Sequence, residues 1–227
     1  LVVILGYILI RGIPALNWEF LTAQPTEGGK SGGIMPAIVG TLELIAGTAA
    51  IALPLGLLTG VYLAEYAKDT VATRVIREAI DILNGTPSIV FGLFGLSFFV
   101  ISMGFGYSLI AGWFALAFMI LPVIIRTTEE AINTVPNELR EASRALGATK
   151  WQTTVKVVIP AAMSGITTGS ILAVGRAAGE TAPIMFTAVV AFQPNLAGSI
   201  FEPVMALPYH LYYLAAEVPG ATDMQFG

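Results

Sequence analysis

The stretch from Ile82 to Ile125 contains no charged residue, and it constrains the fold more than any other feature of the chain. A helix needs about 20 mostly apolar residues to cross the hydrocarbon core of a bilayer, so this stretch is too long for a single crossing. The segment Gly-Phe-Gly-Tyr-Ser at 104–108 provides a place where the chain can reverse. The stretch therefore predicts two membrane-spanning helices joined by a short turn.

The composition agrees with a polytopic, all-α membrane protein. Of the 227 residues, 56% are hydrophobic and only 11% are charged, whereas soluble domains carry about 25% charged residues. A net charge of −4 gives no sign of the basic stripe that nucleic-acid binding requires. Cysteine is absent, which excludes disulfides and thiol chemistry.

Other apolar stretches bring the predicted number of spans to five. They lie at residues 1–16, 34–63 and 157–201. The first stretch has neither a basic leader nor a small-residue cleavage site, so we interpret it as part of a truncated helix and not as a signal peptide.

The basic residues predict how the spans are oriented. Eight of the 11 lie in the linkers after the second and fourth spans: Lys68, Arg74, Arg77, Arg126, Arg140, Arg144, Lys150 and Lys156. The positive-inside rule places both linkers in the cytoplasm. Residues 17–33 and 193–227 then lie on the outer side.

Pairs of glycines four residues apart are typical of closely packed membrane helices. The predicted spans contain three such pairs: Gly56 and Gly60, Gly165 and Gly169, and Gly175 and Gly179. Two of the pairs fall in the fifth predicted span, which indicates that this span lies within a helical bundle.

The segment 136–150 is predicted to be a short cytoplasmic helix. Pro136 suits its first turn, and Gly147 suits its C-terminal cap. Its apolar residues form one stripe: Leu139, Ala142, Ala145 and Leu146. Because so short a helix is marginal by itself in water, we expect the stripe to be covered, either by the chain's own bundle or the membrane surface, or by a partner protein.

The second half of this helix and the residues that follow it resemble a known family. The pattern Glu141-Ala142-x4-Gly147-x9-Val157-x-Ile159-Pro160 resembles the EAA loop of ABC-importer permeases, the coupling helix that docks on an ATP-hydrolysing subunit. Ser143 replaces the usual alanine, and Val157 and Ile159 replace the usual isoleucine and leucine. The resemblance implies a set of ATPase-coupling residues: Leu139, Glu141, Ala142, Ser143, Arg144 and Gly147.

Further blocks are similar to the phosphate-specific permeases of the PstA type. They are Gly40-Thr-Leu, Pro54-Leu-Gly56, Tyr62-Leu-Ala-Glu65, Gly85-Thr-Pro-Ser-Ile-Val-Phe-Gly-Leu-Phe-Gly95, Leu121-Pro-Val-Ile-Ile-Arg-Thr-Thr-Glu-Glu130 and Gly175-Arg-Ala-Ala-Gly-Glu-Thr-Ala-Pro183. The resemblance implies a type I ABC importer permease fold, with residues 1–227 forming one transmembrane domain. Since that family has six spans, it also implies a further helix after Gly227.

The same resemblance implies several partners. These are a second, PstC-like permease subunit, two ATP-binding subunits, and an extracytoplasmic phosphate-binding protein that docks on the loops 17–33 and 193–227. ATP and Mg²⁺ would be used by the partner subunits, and no cofactor is expected on this chain. The chain has no nucleophile elbow, HExxH motif or Walker loop. We expect a multi-pass protein of a bacterial or archaeal plasma membrane.

Three charged residues are candidates for the substrate path. Arg176 and Glu180 lie one helical turn apart within a span, where a charge is costly; they either pair structurally or line the path of the anion. Arg126 ends the fourth span, either as an arginine that reaches the membrane surface or as an exit-side phosphate contact. A permease for sulfate, molybdate or phosphonate, or an anion channel, remains an alternative.

Two further polar residues and one linker receive simpler interpretations. Glu43 is expected to reach water at the outer end of its span, and His210 to belong to an interfacial aromatic belt and not to a ligand site. Residues 67–81 predict an amphipathic helix led by Asp69 or Thr70. This helix is either a connector on the membrane surface or a second surface that touches the ATPase.

Overall fold

The computed structural model describes residues 2–193, 195–219 and 221–226 of the chain, which is mainly helical. The helices are α1 (Val2–Gly12), α2 (Trp18–Thr22), α3 (Met35–Val61), α4 (Val71–Asn84), α5 (Ser88–Gly95), α6 (Leu109–Asn133), α7 (Asn137–Ala145), α8 (Lys150–Thr153), α9 (Ile159–Gly179), α10 (Ala182–Met185), α11 (Leu207–Glu217) and α12 (Thr222–Phe226). Wider π-helical turns extend three of the helices: Tyr62–Tyr66 after α3, Leu96–Ser102 after α5, and Thr154–Val158 before α9. A small antiparallel hairpin pairs β1 (Pro25–Thr26) with β2 (Ser31–Gly32).

The chain folds as two compact units. The first unit comprises Leu1–Gly47, Ser88–Leu116 and Ala178–Gly227, and the second comprises Thr48–Pro87 and Ala117–Ala177. All eight basic residues of the predicted cytoplasmic linkers belong to the second unit. The second unit therefore contains both linkers that are predicted to face the cytoplasm.

Three helices in the described chain are long and apolar enough to cross a membrane. They are Met35–Tyr66, Leu109–Asn133 and Lys150–Gly179, of 32, 25 and 30 residues. A fourth span is possible if Val71–Asn84 and Ser88–Ser102, which are bent by 101° at their junction, count as one. The five predicted spans thus correspond to three helices of spanning length, the bent pair and the shorter apolar helix α1, of 11 residues.

The fifth predicted span was wrong in its extent. The helix ends at Gly179 instead of continuing to residue 201, and the short helix α10 follows after Glu180 and Thr181. Pro183 lies in the first turn of α10, a position where its missing N–H leaves no hydrogen bond unmade. A proline ring also clashes with the carbonyl four residues earlier in a continuous helix, which here is that of Gly179, the last residue of α9. The Gly-Glu-Thr-Ala-Pro block therefore ends one helix and begins another.

The long uncharged stretch folds largely as predicted. The helix α5 and its π-helical turn run to Ser102, the chain reverses, and α6 begins at Leu109. Gly104 and Gly106 have φ angles of 72° and 65°, which favour glycine within this reversal. In the first unit, the returning chain buries Phe99 and Val100 against Ala111.

The first two glycine pairs pack as expected, within the second unit. A Cβ atom on Gly60 would lie 2.6 Å from Cβ of Thr128 in α6, and one on Gly169 would lie 2.6 Å from Cβ of Thr127. Gly56 and Gly165 also face α6 side chains, those of Ile124 and Ala131. Helices α3 and α9 therefore both approach α6 closely because these positions have no side chain.

The third pair, Gly175 and Gly179, differs from the other two. Within the described chain, no atom lies within 4 Å of a Cβ added at either position. This part of α9 is therefore an open surface formed by small residues.

Glu43 does not reach water as fully as predicted. It lies about two turns inside α3, where its Oε2 is buried and has no hydrogen-bond partner among the described residues. Its backbone carbonyl accepts a hydrogen bond from Nε1 of Trp113 at 2.9 Å. The burial arises because α6 packs on this turn of α3 within the first unit.

Candidate functional site

Helix α7 occupies the predicted cytoplasmic segment but is shorter than 136–150. Pro136 is its N-cap, one residue before the first helical turn. At the other end Gly147 has a φ of 84°, and the N–H of Gly147 donates to the carbonyl of Arg144 at 2.9 Å. A left-handed residue after the last turn is a common way to end a helix, and glycine adopts it without steric cost. The chain resumes as α8 at Lys150, after a capping box formed by Thr149 and Gln152.

The apolar stripe of α7 faces away from the chain's own core. Within the described chain no apolar residue of α7 is buried; Leu139 is 44% exposed, and Leu146, which directly follows the helix, is 90% exposed. Ala142 and Ala145 are exposed as well. Of the three coverings expected from the sequence, the chain's own bundle does not cover the stripe, which leaves the membrane surface and a partner protein.

The opposite side of α7 is attached to the second unit by polar groups. Arg140 donates from Nη2 to Oε1 of Glu65 at 2.7 Å and from Nε to the same oxygen at 2.9 Å. The same guanidinium also donates to the carbonyls of Ile132 and Val135. The side chains of Arg140 and Glu65 are only 11% and 8% exposed. The positive charge of the Arg140 side chain is therefore paired with the carboxylate of Glu65, and its remaining N–H groups donate to backbone carbonyls.

A second polar contact and a cavity lie beside this ion pair. The hydroxyls of Ser143 and Thr153 are 2.9 Å apart and join α7 to α8. A cavity of about 450 Å³ is bordered by Glu65 and Arg140, together with Arg144 and Lys150. The inner face of α7 is thus polar and only partly filled, whereas its outer face is apolar.

Arg126 lies among carboxylates in the second unit. Its nearest acidic oxygen is that of Glu130, at 3.1 Å, and those of Asp81 and Glu129 are each 3.6 Å away. An incoming anion would have to compete with these groups. The structure therefore gives Arg126 a role in joining α4 and α6, and its predicted contact with phosphate remains a hypothesis.

Arg176 and Glu180 lie at the C-terminal end of α9 and just after it. Arg176 is exposed and Glu180 is half-buried in the described chain. The open positions Gly175 and Gly179 flank Arg176 along the helix. The predicted path residues therefore stand beside a surface where another polypeptide can approach α9 closely.

The two predicted outer loops pack together in the first unit. A Cβ atom on Gly29 would lie 3.2 Å from Leu214 and 3.4 Å from His210, and Phe20 lines a cavity of about 220 Å³ beside these residues. His210 is only 3% exposed, so the prediction of an interfacial belt was wrong for this side chain. His210 is buried because it lies one turn before Leu214 on the face of α11 that packs against Gly29 of the 17–33 loop.

His210 is electrostatically unusual. Among the described residues, neither ring nitrogen has a partner with hydrogen-bond geometry. Burial lowers the pKa of His210 from its ordinary value of 6.5, and the nearby backbone of Ala191 offsets this shift in part. The side chain is therefore neutral at physiological pH. No group of three or more His, Asp or Glu residues in the described part of the chain is arranged to hold a metal ion.

The sequence did not point to three charged residues that organise the second unit. In the sequence, Glu65 is only the last residue of a block that resembles the family. Neither Arg77 nor Glu129 is a predicted site residue. Arg77 and Glu129 lie 52 positions apart in the chain, and Arg140 and Glu65 lie 75 positions apart. Each pairing depends on the way α3, α4, α6 and α7 are brought together, so the spacing of the residues gives no signal of it.

Known proteins resemble the chain along most of its length. The probable ABC transporter permease protein YqgI of Bacillus subtilis is 40% identical over 223 residues, which are 93% of this chain and 76% of that protein. The phosphate transport system permease protein PstA of Haemophilus influenzae is 39% identical over 94% of this chain and 74% of its own length. PstA 1 of Mycobacterium tuberculosis is 43% identical over 80% of this chain and 59% of its own length.

The fold matches a solved transporter as well. An inward-facing structure of the MetNI methionine ABC transporter aligns with 64% of this chain and 72% of its own chain, with a TM-score of 0.57 and 26% sequence identity. The family model for the binding-protein-dependent transport system inner membrane component matches residues 52–222. This range contains the exposed helix α7 and all three candidate path residues. The chain belongs to the family of binding-protein-dependent transport system inner membrane components.

Proposed function

We propose that this chain is the permease subunit of an ATP-driven phosphate importer in the plasma membrane of a bacterium or archaeon. The observation that carries the proposal is the two-sided character of α7. Its apolar stripe is exposed, while its inner face is held by the Arg140–Glu65 pair. A short helix with this arrangement suits a docking surface for a separate ATPase subunit, because the exposed stripe gains stability only when a partner covers it.

Several partners follow from this assignment. Two ATP-binding subunits supply ATP hydrolysis, and a second permease subunit approaches the open glycine surface of α9. An extracytoplasmic binding protein docks on the outer loops, where residues 17–33 pack against α11. ATP and Mg²⁺ belong to the ATPase subunits in this proposal, and the chain itself contributes no ATP site.

The proposed substrate contact is Arg176. A guanidinium group binds phosphate well because its planar fork donates two parallel hydrogen bonds. Glu180, one turn further along, would orient Arg176 and keep its hold on the anion weak enough for release. Arg126 is a second proposed contact at the cytoplasmic end of α6, where an anion would exchange with the surrounding carboxylates. The names of the PstA relatives support phosphate as the substrate.

The proposed mechanism is alternating access. Closure of the ATPase dimer moves α7, and this movement shifts the permease between states that open to either side. Such a cycle requires the ATPase to bind the two states with different affinity, because a partner with equal affinity for both shifts nothing.

The main alternative is a permease for another oxyanion, such as sulfate, molybdate or phosphonate. The fold does not decide this question, because a methionine transporter shares it. Selectivity then depends on the path residues and on the external binding protein. An anion channel is a less favoured alternative, since a channel would have no use for the exposed helix α7.

Radiolabelled phosphate uptake tests the proposal in vesicles that contain the full-length chain with its partners. Arg176→Ala should reduce uptake by at least about tenfold, because an anion loses a charged hydrogen-bond donor. Arg176→Lys should retain part of the activity, and Arg11→Ala, which removes an exposed positive charge of α1 away from the proposed sites, should retain all of it. Undiminished uptake by Arg176→Ala would remove Arg176 from the path.

Gly147→Asp tests the role of α7 in the same vesicles. The substitution places a carboxylate at the C-terminal end of a helix, where negative charge is unfavourable, and in a backbone conformation that glycine adopts most easily. ATPase stimulation should fall while membrane insertion is kept. Absence of phosphate uptake by the unmodified complex, with sulfate taken up instead, would favour the alternative substrate class.

A further inference from the structure

The π-helical turn Tyr62–Tyr66 at the end of α3 connects several elements of the second unit. The wider turn is closed by the hydrogen bond from the N–H of Ala67 to the carbonyl of Tyr62, at 2.9 Å. π-Helical turns are rare in proteins overall, and those that occur often lie at functional sites. The block Tyr62-Leu-Ala-Glu65, which lies in this turn, takes no part in the mechanism proposed above.

Each side of the turn contacts a different element. The carbonyl of Leu63 accepts a hydrogen bond from Nη2 of Arg77 in α4, at 3.0 Å. The hydroxyl of Tyr66 donates to the hydroxyl of Thr154, at 3.3 Å, at the beginning of the third long helix. The Nζ atom of Lys150 lies 4.9 Å from the centre of the Tyr66 ring, within the range of a cation–π interaction. The turn therefore fixes α4 and the α8 segment to the end of α3.

The strongest of these contacts is the one to α7. Glu65 lies in the turn and accepts both hydrogen bonds from Arg140, which is only 11% exposed. Since no apolar residue of α7 is buried in the described chain, apolar packing contributes little to holding this helix in place. Its attachment depends on the Arg140 contacts and on the Ser143–Thr153 hydrogen bond.

We propose that the Glu65–Arg140 pair positions α7 on α3 and transmits the movement of α7 to this membrane-spanning helix. The inference depends on the proposed coupling role of α7 and adds the residues through which the coupling passes. A buried ion pair suits this role because it has a defined geometry and is costly to break. Glu65 and Arg140 are positioning residues, since neither is required to contact phosphate or ATP.

The pair differs from an ordinary surface ion pair in a way that can be tested. Arg74 and Asp69 form a comparable contact, with Nε and Oδ1 3.0 Å apart, but their side chains are 63% and 76% exposed. Exposed pairs contribute little because water screens them. Arg74→Gln is therefore a matched control for Arg140→Gln, with the same chemical change in the same unit.

The measurement is the amount of phosphate transported per ATP hydrolysed, in proteoliposomes that contain the complete importer. Glu65→Gln and Arg140→Gln should reduce this ratio by about tenfold, a typical size for a coupling between two sites. The ATPase subunits should remain bound at their normal ratio to the permease, because the exposed stripe is unchanged. Arg140→Lys should retain an intermediate ratio, since lysine keeps the charge but cannot reach the carboxylate and both carbonyls together. Arg74→Gln should change the ratio less than twofold.

A crosslink separates position from charge. The chain has no cysteine, so the double variant Glu65→Cys, Arg140→Cys can be joined by a bis-methanethiosulfonate reagent of suitable length. The ratio of phosphate to ATP should be low with free thiols, return on crosslinking, and fall again on reduction. The double-cysteine variant tests the role of the pair even if the single variants fail to assemble, because its crosslinked and reduced states are compared within one complex.

Two results would overturn the inference. One is a normal ratio in Glu65→Gln and Arg140→Gln; the other is a double-cysteine protein whose ratio is the same before and after reduction. A different result would bear on the proposed substrate alone: no phosphate uptake by the unmodified complex. The pair is then tested by the stimulation of ATP hydrolysis by the permease, which Glu65→Gln should lower if the inference is correct and leave unchanged if it is wrong.

Discussion

Arg77 donates from Nε to Oε1 of Glu129 at 2.8 Å and joins α4 to α6 across 52 positions of the chain. The Glu129 side chain is 5% exposed and that of Arg77 is 33% exposed. Glu129 also faces Arg126, but at the longer distance of 3.6 Å. The end of α6 that is predicted to be cytoplasmic is therefore held to α4 by an ion pair that the sequence does not predict.

Arg77→Met should destabilise the full-length permease by about 2 kcal/mol, because it leaves the buried carboxylate of Glu129 with only a distant partner. This is below the usual cost of breaking a fully buried pair, since Arg77 is partly exposed to solvent. Thermal unfolding in detergent measures the change. Arg74→Met, in the exposed pair with Asp69, should differ from the unmodified protein by less than about 0.5 kcal/mol. Equal effects of the two variants would contradict the prediction.

Gly60→Ala should destabilise the same protein by about 1 to 3 kcal/mol, because the added methyl group must displace Thr128 or the backbone of α6. The nearest atoms to the new Cβ would be at 2.6 and 2.8 Å, both in Thr128, with the carbonyl of Ile125 at 2.9 Å. Gly175→Ala is the matched control, since no described atom lies within 4 Å of its Cβ. In the isolated subunit the control should be neutral or slightly stabilising, as alanine favours helix more than glycine. A Gly60→Ala protein as stable as this control would show that the two helices separate easily.

Leu146→Ser should weaken the association of the permease with its ATPase about tenfold, because the side chain would lose its apolar contact with the partner. Leu146 is 90% exposed, so the stability of the permease itself should not change. Met103→Ser, which removes an exposed apolar side chain from the turn after α5, is the control and should leave the affinity unchanged. Binding of the purified ATPase subunit to the permease in nanodiscs measures both. Unaltered binding by Leu146→Ser would place the docking surface elsewhere.

The burial of His210 predicts that the packing of α11 against the 17–33 loop is less stable at acidic pH. Burial holds the pKa of His210 below its unfolded value of 6.5, so the neutral form is favoured in the folded protein. Below about pH 6.5, His210 is protonated in the unfolded chain but stays neutral in the folded protein. The free energy of unfolding therefore falls with decreasing pH until the pH reaches the lowered pKa. His210→Leu should remove this part of the acid sensitivity. The unfolding temperature of the unmodified protein, measured from about pH 7.5 to about pH 5, should therefore fall relative to that of His210→Leu as the pH is lowered; a difference that stays constant with pH would rule out titration of His210.

Much of the membrane architecture could be read from local properties of the chain. The uncharged stretch 82–125 folds as two helical segments with a reversal between them. Two of the three glycine pairs, Gly56 with Gly60 and Gly165 with Gly169, mark the sides of α3 and α9 that pack on α6. Gly147 was expected to end the cytoplasmic helix, and its φ of 84° agrees with that role. Thr70 leads α4, one of the two residues that were expected to do so. Each of these features depends on nearby residues only.

The misplaced features depend on contacts between distant segments or on competing local signals. Glu43 is covered where α6 packs on α3, and His210 is covered by the 17–33 loop. The fifth span was extended to residue 201 because hydropathy alone does not distinguish a continuous helix from a helix followed by apolar loop residues. Pro183 carried the signal for the break, but prolines also occur inside α3 and α6 at Pro54 and Pro122 without ending them.

The sequence by itself determined that the chain is helical and membrane-spanning, which linkers are basic, and where the exposed helix α7 lies. These properties follow from hydropathy, charge and the backbone preferences of glycine and proline, which act over a few residues. Only the tertiary structure decided that Glu65 meets Arg140, that Glu129 meets Arg77, and that the apolar stripe of α7 faces outward. An ion pair forms when folding brings two charges within about 4 Å of each other, and for residues separated by 75 and 52 positions that distance is set by the packing of α3, α4, α6 and α7.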